Sequence, residues 1–133
     1  MIEHIYTDGG VIKQNPSSIG GSWAWVAISE LDQKLKSASG ILTPEDLELP
    51  SVSNNTMELF AALRALESVP EGWEGTLVTD SRVTACRLLY GINPKTANLP
   101  PWIIKRTSKL RAGRKWKVSI VRGHPTKDEL EKG

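Results

Sequence analysis

Three acidic residues lie where predicted elements begin or end, and together they could bind divalent metal ions. Asp8 ends a predicted strand over 2–8, Asp80 directly follows a short predicted strand over 76–79, and Glu58 lies in the first turns of a predicted helix. If the two strands are parallel neighbours, Asp8 and Asp80 leave the sheet at the edge where α/β sheets bind ligands. Converging carboxylates need cations to stay ionised, and oxygen ligands without a Cys or His cluster favour Mg²⁺ or Mn²⁺ over Zn²⁺. Two such ions about 3.5–4 Å apart would support phosphodiester hydrolysis by a nuclease.

Each acid taken alone also has an ordinary structural explanation. An Asp before the Gly9–Gly10 pair is typical of a turn, and Asp80 with Ser81 is a good helix N-cap. Glu58 near a helix N-terminus is favoured by the helix dipole. The individual residues therefore leave the structural and the catalytic interpretations open.

The hydrophobic pattern predicts the elements that would position these acids. Predicted strands cover 2–8, 23–28, 35–41, 76–79 and 116–121, and predicted helices begin near Ser53 or Asn54, at Ser81 and at Trp102. Residues 43–53 are predicted to be a loop. On the second helix, the pattern places Val83, Cys86, Leu89 and Tyr90 on one apolar side, with Cys86 in the core. A hairpin meander followed by a strand–helix–strand crossover indicates an α/β fold with a mixed sheet flanked by helices.

The composition of the chain is that of a globular protein rather than a membrane-spanning or disulfide-rich one. The chain has 133 residues, 39% hydrophobic and 24% charged, which is typical of one soluble domain. Its apolar runs are too short to span a membrane, and Met1 leads straight into a predicted strand, so no signal peptide is expected. The single cysteine, Cys86, cannot form an internal disulfide. We therefore expect a cytoplasmic protein, with no membrane and no evident obligate protein partner, that is a monomer.

Charge is distributed unevenly along the chain. Residues 1–80 carry 4 Lys/Arg and 12 Asp/Glu, for 4 − 12 = −8, whereas residues 81–127 carry 12 Lys/Arg and no acid, for +12. A long basic stretch favours a polyanion as partner, because neutralising phosphates releases counterions. The alternative is a basic face that is solvated and has no partner. If the partner is a nucleic acid, metal ions would mask the acids of the first half.

Four sequence blocks resemble the successive motifs of type 1 ribonuclease H, in the order of that family. They are Ile5-Tyr6-Thr7-Asp8-Gly9-Gly10 with Asn15-Pro16, Ser53-Asn54-Asn55-Thr56-Met57-Glu58-Leu59, Val78-Thr79-Asp80-Ser81, and Val121-Arg122-Gly123-His124. The resemblance extends from about residue 4 to about residue 124, most of the chain. It implies an RNase H-like fold, with a five-stranded mixed sheet of three antiparallel strands and then two parallel ones. It also implies a metal-dependent endonuclease that hydrolyses the RNA strand of RNA–DNA hybrids with two Mg²⁺ ions, for which Mn²⁺ can substitute.

The resemblance also implies roles for individual residues. Asp8, Glu58 and Asp80 match catalytic, metal-binding carboxylates, and His124 matches a catalytic histidine that assists proton transfer or product release. Contacts with the hybrid's backbone and minor groove are implied for Gly10, Asn15, Asn54 and Asn55, and Arg82 occupies a position that reads the RNA strand. A basic segment after Asp80 is shorter than in many members, and we expect phosphate contacts from its Lys105, Arg106 and Lys109.

The last motif departs from the family. A fourth carboxylate normally begins a final helix about ten residues after the histidine, whereas Asp128 follows His124 by only 128 − 124 = 4 residues. Either Asp128 is a displaced fourth metal ligand, or residues 125–133 form an enlarged loop and the true ligand lies beyond Gly133. The single domain 1–133 would then lack the last helix. A missing ligand would favour a hybrid- or nucleic-acid-binding module with weak or no turnover, and a related nuclease acting on DNA is a third hypothesis.

Overall fold

A computed structural model describes residues 1–121 as a five-stranded sheet with four helices. The strands are β1 (Ile2–Val11), β2 (Gly21–Ser29), β3 (Lys34–Leu42), β4 (Thr76–Thr79) and β5 (Lys117–Ile120), and the helices are α1 (Pro44–Leu47), α2 (Asn54–Glu67), α3 (Arg82–Tyr90) and α4 (Pro101–Ala112). The order across the sheet is β3-β2-β1-β4-β5. β1, β2 and β3 pair antiparallel, and β1 with β4 and β4 with β5 pair parallel. The predicted fold class is confirmed.

Strand β1 lies at the centre of the sheet and carries Asp8 to the end of the parallel ladder. The β1–β4 pairing ends with Tyr6 opposite Val78. Asp8 and Asp80 each lie two residues beyond those partners, so the register alone brings them to the same edge of the sheet.

The prediction that Asp8 ends β1 is wrong, because the strand continues to Val11. Gly9, Gly10 and Val11 pair with β2 residues, Gly9 being opposite Trp23. The sequence suggested that Gly9 belongs to a turn, but the structure requires glycine at position 9 for a different reason. A Cβ there would collide with the backbone of Met57 and Glu58, so the bare strand lets α2 approach closely.

Helix α2 packs across the sheet and presents Glu58 to that edge. Ser53 is its N-cap, accepting a hydrogen bond from the Thr56 N–H at 3.1 Å, which confirms one of the two predicted caps. Apolar side chains at helical spacing, including Leu59 and Leu63, are fully buried. Phe60 packs edge-on against Trp23 of β2, with ring centroids 5.8 Å apart. Burial of this apolar face therefore fixes the rotation of α2.

Two other predictions about helices need correction. The predicted loop over 43–53 contains α1, which Pro44 opens and a capping box between Thr43 and Asp46 stabilises. On α3 the buried residues are Thr84, Ala85 and Leu88, whereas Val83, Cys86 and Tyr90 are exposed. Helix α3 buries the polar Thr84 and the small Ala85 beside Leu88, and a purely hydrophobic pattern cannot identify such a face. Within residues 1–121, no helix is long and apolar enough to cross a membrane.

Candidate active site

The structure brings Asp8, Glu58 and Asp80 together at the edge of the sheet. Each offers one carboxylate oxygen, and these atoms lie within 4.8 Å of one another. Asp8 comes from the central strand β1, Glu58 from the second turn of α2, and Asp80 from the residue after β4. Asp8 and Asp80, which are 72 positions apart in sequence, thus lie close together. Of the three acids, Asp8 is the most exposed to solvent.

Glu58 has the most unusual environment of the three. Its side chain is 8% exposed, its Oε1 accepts a hydrogen bond from the Gly9 N–H at 3.2 Å, and its Oε2 is buried without a hydrogen-bond partner among the described residues. Burial, and then the negative charges of Asp80 and Asp8, raise the pKa of Glu58 to about 8, although the Gly9 hydrogen bond opposes this shift. Without a cation, the pocket therefore favours the protonated form of Glu58 at neutral pH.

These properties fit a divalent metal ion. A cation would neutralise the crowded carboxylates, and Oε2 of Glu58, which has no hydrogen-bond partner in the part of the chain that the structure describes, could serve as a ligand to it. The cluster offers oxygen atoms only, which suits Mg²⁺ or Mn²⁺. Asp8, Glu58 and Asp80 are therefore the residues that could hold such ions.

A groove of about 620 Å³ adjoins the acidic cluster on the β1–β3 side. Asp8, Gly10, Ser22, Ser39 and Gly40 are among the residues that line it. Apart from the chain neighbours of Gly10, no atom of residues 1–121 lies within 4 Å of where a Cβ would be at that position. Bare backbone and hydroxyl groups beside the acids leave room for a bulky, hydrogen-bonding ligand such as a sugar–phosphate chain.

The asparagines of the candidate site gather at the N-terminus of α2. Asn15 Oδ1 accepts a hydrogen bond from the Asn54 N–H at 3.0 Å, and the side chains of Asn15, Asn54 and Asn55 are exposed. Asn54 precedes Glu58 by four residues, so both lie on the same face of α2. Asn54 therefore lies about one helical turn from Glu58, and Asn15 lies beside Asn54.

The predicted basic contacts divide into two groups. Arg82 is exposed at the first position of α3, two residues after Asp80. Arg106 instead forms an ion pair with Glu67, to which its Nε donates at 2.9 Å, and it lies over the rings of Phe60 and Trp102. Glu67 follows Glu58 by nine residues, which is roughly 13–14 Å along the axis of α2. The structure thus assigns Arg106 a role in joining α4 to α2.

The remaining α4 cations differ in their surroundings. Lys109 lies with Arg106, Glu67 and Glu71 along a groove of about 580 Å³ between α4 and the end of α2. Lys105 is exposed on the same helix. Of the two, Lys105 is therefore the better placed for a phosphate contact, since Lys109 has acidic neighbours.

Two of the predicted residues, His124 and Asp128, lie outside the described residues. The sequence interpretation in turn missed residues that shape the site, among them Ser17, Ser22 and Ser39. Ser22 pairs with Gly10 on one side and with Ile41 on the other. Its place in the groove could have been found only from the strand register, because a serine in a strand carries no signal of its own.

The sequence matches a known family over most of its length. A family model described as RNase H matches residues 2–131. A search of curated proteins found no match. The family match spans nearly the whole chain and includes all four of the sequence blocks identified above.

Solved structures share the fold at low sequence identity. RNase H1 from the halophilic archaeon Halobacterium salinarum is 22% identical over 90% of this chain and 85% of its own, with a TM-score of 0.68. LC11-RNase H1, solved in complex with an RNA/DNA hybrid and isolated from compost by a metagenomic approach, is 18% identical over 96% of this chain and 91% of its own, with a TM-score of 0.67. The RNase H domain of PFV is 21% identical over 92% and 81%, with a TM-score of 0.66. At these identities, the likeness supports the architecture.

Proposed function

This chain belongs to the RNase H family, and we propose that it is a metal-dependent endonuclease that hydrolyses the RNA strand of RNA–DNA hybrids. The family match confirms the predicted ribonuclease H class of enzyme. The observation that carries the proposal is the convergence of Asp8, Glu58 and Asp80, with one buried Glu58 oxygen that has no hydrogen-bond partner within residues 1–121. LC11-RNase H1, which has the same fold, was solved with an RNA/DNA hybrid, and this supports the proposed substrate.

Asp8, Glu58 and Asp80 would hold the metal ions of this reaction. Two bound Mg²⁺ ions, or Mn²⁺ in their place, would supply the activated water and the stabilisation of the departing 3′ oxygen. The chain's own contribution is to keep the acids in place. The Gly9 N–H orients Glu58, and the bare backbone at Gly9 lets α2 carry that carboxylate to the sheet edge.

Other residues would bind and orient the hybrid. The exposed amides of Asn15, Asn54 and Asn55 can donate hydrogen bonds to sugar and minor-groove acceptors, which would distinguish RNA from DNA through the 2′-hydroxyl groups. Arg82, beside Asp80, can hold a phosphate of the RNA strand. His124 remains a prediction for proton transfer, a role that suits a side chain whose charge changes near neutral pH.

A substrate panel with a Mg²⁺ titration tests the proposal. Purified protein is incubated with a labelled RNA–DNA hybrid, duplex DNA, duplex RNA and each single strand at a series of Mg²⁺ concentrations. We expect cleavage of the RNA strand of the hybrid alone, dependent on Mg²⁺ and restored by Mn²⁺. Preferred cleavage of a DNA substrate would indicate the related nuclease instead.

A binding module is the second candidate function. Only three carboxylates form the cluster among residues 1–121, so the second metal ion depends on a ligand outside them. Binding of the hybrid without product at any Mg²⁺ or Mn²⁺ concentration would favour that module. The single-domain organisation, the monomeric state and the cytoplasmic location stay predictions.

A further inference from the structure

Ser17 fastens the loop between β1 and β2 to the segment that precedes α2. It is only 1% exposed, although it is a polar residue in a loop. Its N–H donates to the Val52 carbonyl and its carbonyl accepts from the Val52 N–H, both at 2.8 Å. Its Oγ accepts from the N–H groups of Ile19 at 3.1 Å and Gly20 at 3.2 Å. The backbone and the side chain of Ser17 are therefore both committed to holding this loop.

The Ser17–Val52 bridge determines where Asn15 lies. Asn15 precedes Ser17 by two residues, and Asn54 follows Val52 by two, so the bridge brings the two asparagines face to face. The hydrogen bond from the Asn54 N–H occupies Oδ1 of Asn15. That bond fixes the orientation of the amide, so that its Nδ2 donors, which lie on a separate atom of this exposed side chain, can meet a ligand.

We propose that Ser17 is a positioning residue that presets the Asn15 amide for binding the nucleic acid. The inference rests on the proposed function, in which Asn15 contacts the hybrid. Without Oγ, the N–H groups of Ile19 and the buried Gly20 lose their acceptor, which destabilises the closed loop. Asn15 would then have to be ordered during binding, and the cost of that ordering appears as weaker substrate binding.

Ser17→Ala tests this proposal, with Ser18→Ala as the matched control at the exposed neighbouring position. The first readout is amide hydrogen exchange of Asn54 by NMR, which needs no activity. We expect faster exchange at Asn54 in Ser17→Ala and no change in Ser18→Ala, while buried amides of β2 remain protected. Because this readout is independent of cleavage, it separates failure of the positioning role from failure of the proposed function.

The second readout is the kinetics of hybrid cleavage. We expect Ser17→Ala to raise KM about fivefold, roughly the effect of one lost hydrogen bond, with kcat changed by less than about twofold. Combined with Asn15→Ala, the effects should be less than additive, because both changes remove the same contact. A purely structural role would instead lower the active fraction and leave KM unchanged.

Unchanged exchange at Asn54, or fully additive effects of the two substitutions, would overturn the proposal. If Ser17→Ala does not fold, Ser17→Cys serves in its place, because a thiol is close in size to a hydroxyl but is a weak acceptor. Ser17→Cys should accelerate hydrogen exchange of the Asn54 amide, but by less than complete loss of the Ser17 Oγ acceptor would. Exchange as slow as in the unmodified chain would contradict the positioning role.

Discussion

The acidic pocket and the basic helix α4 use charge in opposite ways. In the pocket, Glu58 is buried beside two further carboxylates, and one of its oxygens has no partner among the described residues. On α4, Arg106 pairs with Glu67, and Arg111 donates to the carbonyl oxygens of Leu88 and Leu89 at 3.0 and 3.2 Å. The pocket therefore crowds carboxylates together, whereas these arginines hold helices together.

This difference shows which charges indicate a ligand. The basic stretch is the more conspicuous feature of the sequence, yet two of its arginines are occupied by contacts within the chain. The three acids are inconspicuous in sequence, but burial, together with the negative charges of Asp80 and Asp8, raises the pKa of Glu58 to about 8, which disfavours its charged state. Like charges crowded into a buried pocket, rather than the number of charges, are the better sign of a functional site.

The largest effect is expected from removing one acid of the pocket. Asp80→Asn and Asp8→Asn should each lower kcat for hybrid cleavage by about 10³-fold or more, because the metal ions lose a ligand while the shape is kept. Folding should be preserved, and Asp80→Asn should be no less stable than the unmodified chain, since a like charge beside Glu58 is removed. Steady-state cleavage assays and thermal unfolding measure both quantities.

Asp32→Asn is the matched control for these substitutions. Asp32 is exposed in the turn after β2 at a φ of 58°, a conformation that asparagine tolerates well. Its activity and stability should match those of the unmodified chain. Undiminished Mg²⁺-dependent cleavage by Asp80→Asn would remove the acidic pocket from the mechanism.

A smaller effect is expected on the pH dependence of stability in metal-free protein. The folded-state pKa of Glu58, about 8, lies above its ordinary value of 4.5, so the folded chain keeps a proton that the unfolded chain loses between these values. The stability that Glu58 contributes is fully present below pH 4.5 and is lost as the pH rises through 8. The free energy of unfolding should therefore fall by about 2 kcal/mol between pH 5 and pH 7 from this group alone.

Urea denaturation in EDTA, with Glu58→Gln for comparison, isolates that contribution. Glutamine cannot ionise, so the difference in unfolding free energy between the two proteins should grow with pH. A difference that is constant between pH 5 and pH 8 would show that the pocket does not hold Glu58 in its protonated form.

The smallest effects should separate Lys105 from Arg106 on the basic helix. Arg106→Gln removes the ion pair and the ring contacts, so we expect a loss of about 1 kcal/mol in unfolding free energy and no change in how binding depends on salt. Lys105→Gln should leave stability unchanged. Its plot of log Kd against log salt concentration should be shallower by about one unit, the value for one lost phosphate contact.

Fluorescence anisotropy with a labelled hybrid, in an Asp80→Asn background that prevents cleavage, measures the salt dependence. Equal changes in slope for Arg106→Gln and Lys105→Gln would mean that Arg106 leaves Glu67 to bind nucleic acid. The contrast between the acidic pocket and the basic helix would then disappear.

Much of the fold was predictable because hydrophobic periodicity and the order of the elements along the chain can be read directly from the sequence. The five strands and the cap of α2 at Ser53 follow from alternation, helical spacing and capping chemistry, whereas the pattern of three antiparallel and then two parallel strands was implied by the resemblance to type 1 ribonuclease H. The extent of β1 did not follow, because Gly9 is a contact point for the backbone of α2, which lies 48 residues away in sequence. Only the tertiary structure distinguishes that use of glycine from a turn.

The errors on α1 and α3 have related causes. Pro44 and its acidic neighbours suggest a loop, yet the same residues form a capped helical turn whose Leu47 is fully buried. On α3, Thr84 is buried whereas Tyr90 is 79% exposed. Hydrophobicity predicts which residues are able to be buried, but the neighbouring elements decide which face of a short helix is covered.

For the site, the sequence predicted which acids matter but not how they are held. Their convergence required the parallel register of β1 and β4, and the Gly9–Glu58 hydrogen bond required the close approach of α2. The loop contact between Ser17 and Val52 was not predictable, because neither residue belongs to a recognisable motif.

Calorimetric titration of the metal-free protein with Mn²⁺ at pH 7 tests whether Asp8, Glu58 and Asp80 form a metal site. With a pKa of about 8, Glu58 is mostly protonated at that pH, and a metal ion must displace the proton to bind its carboxylate. Repeating the titration in buffers of different ionisation enthalpy should show saturable binding with close to one proton released, and Glu58→Gln should release none. Absence of saturable binding would contradict the claim that these three acids form a metal site, and binding without proton release would contradict protonation of Glu58 in the metal-free pocket.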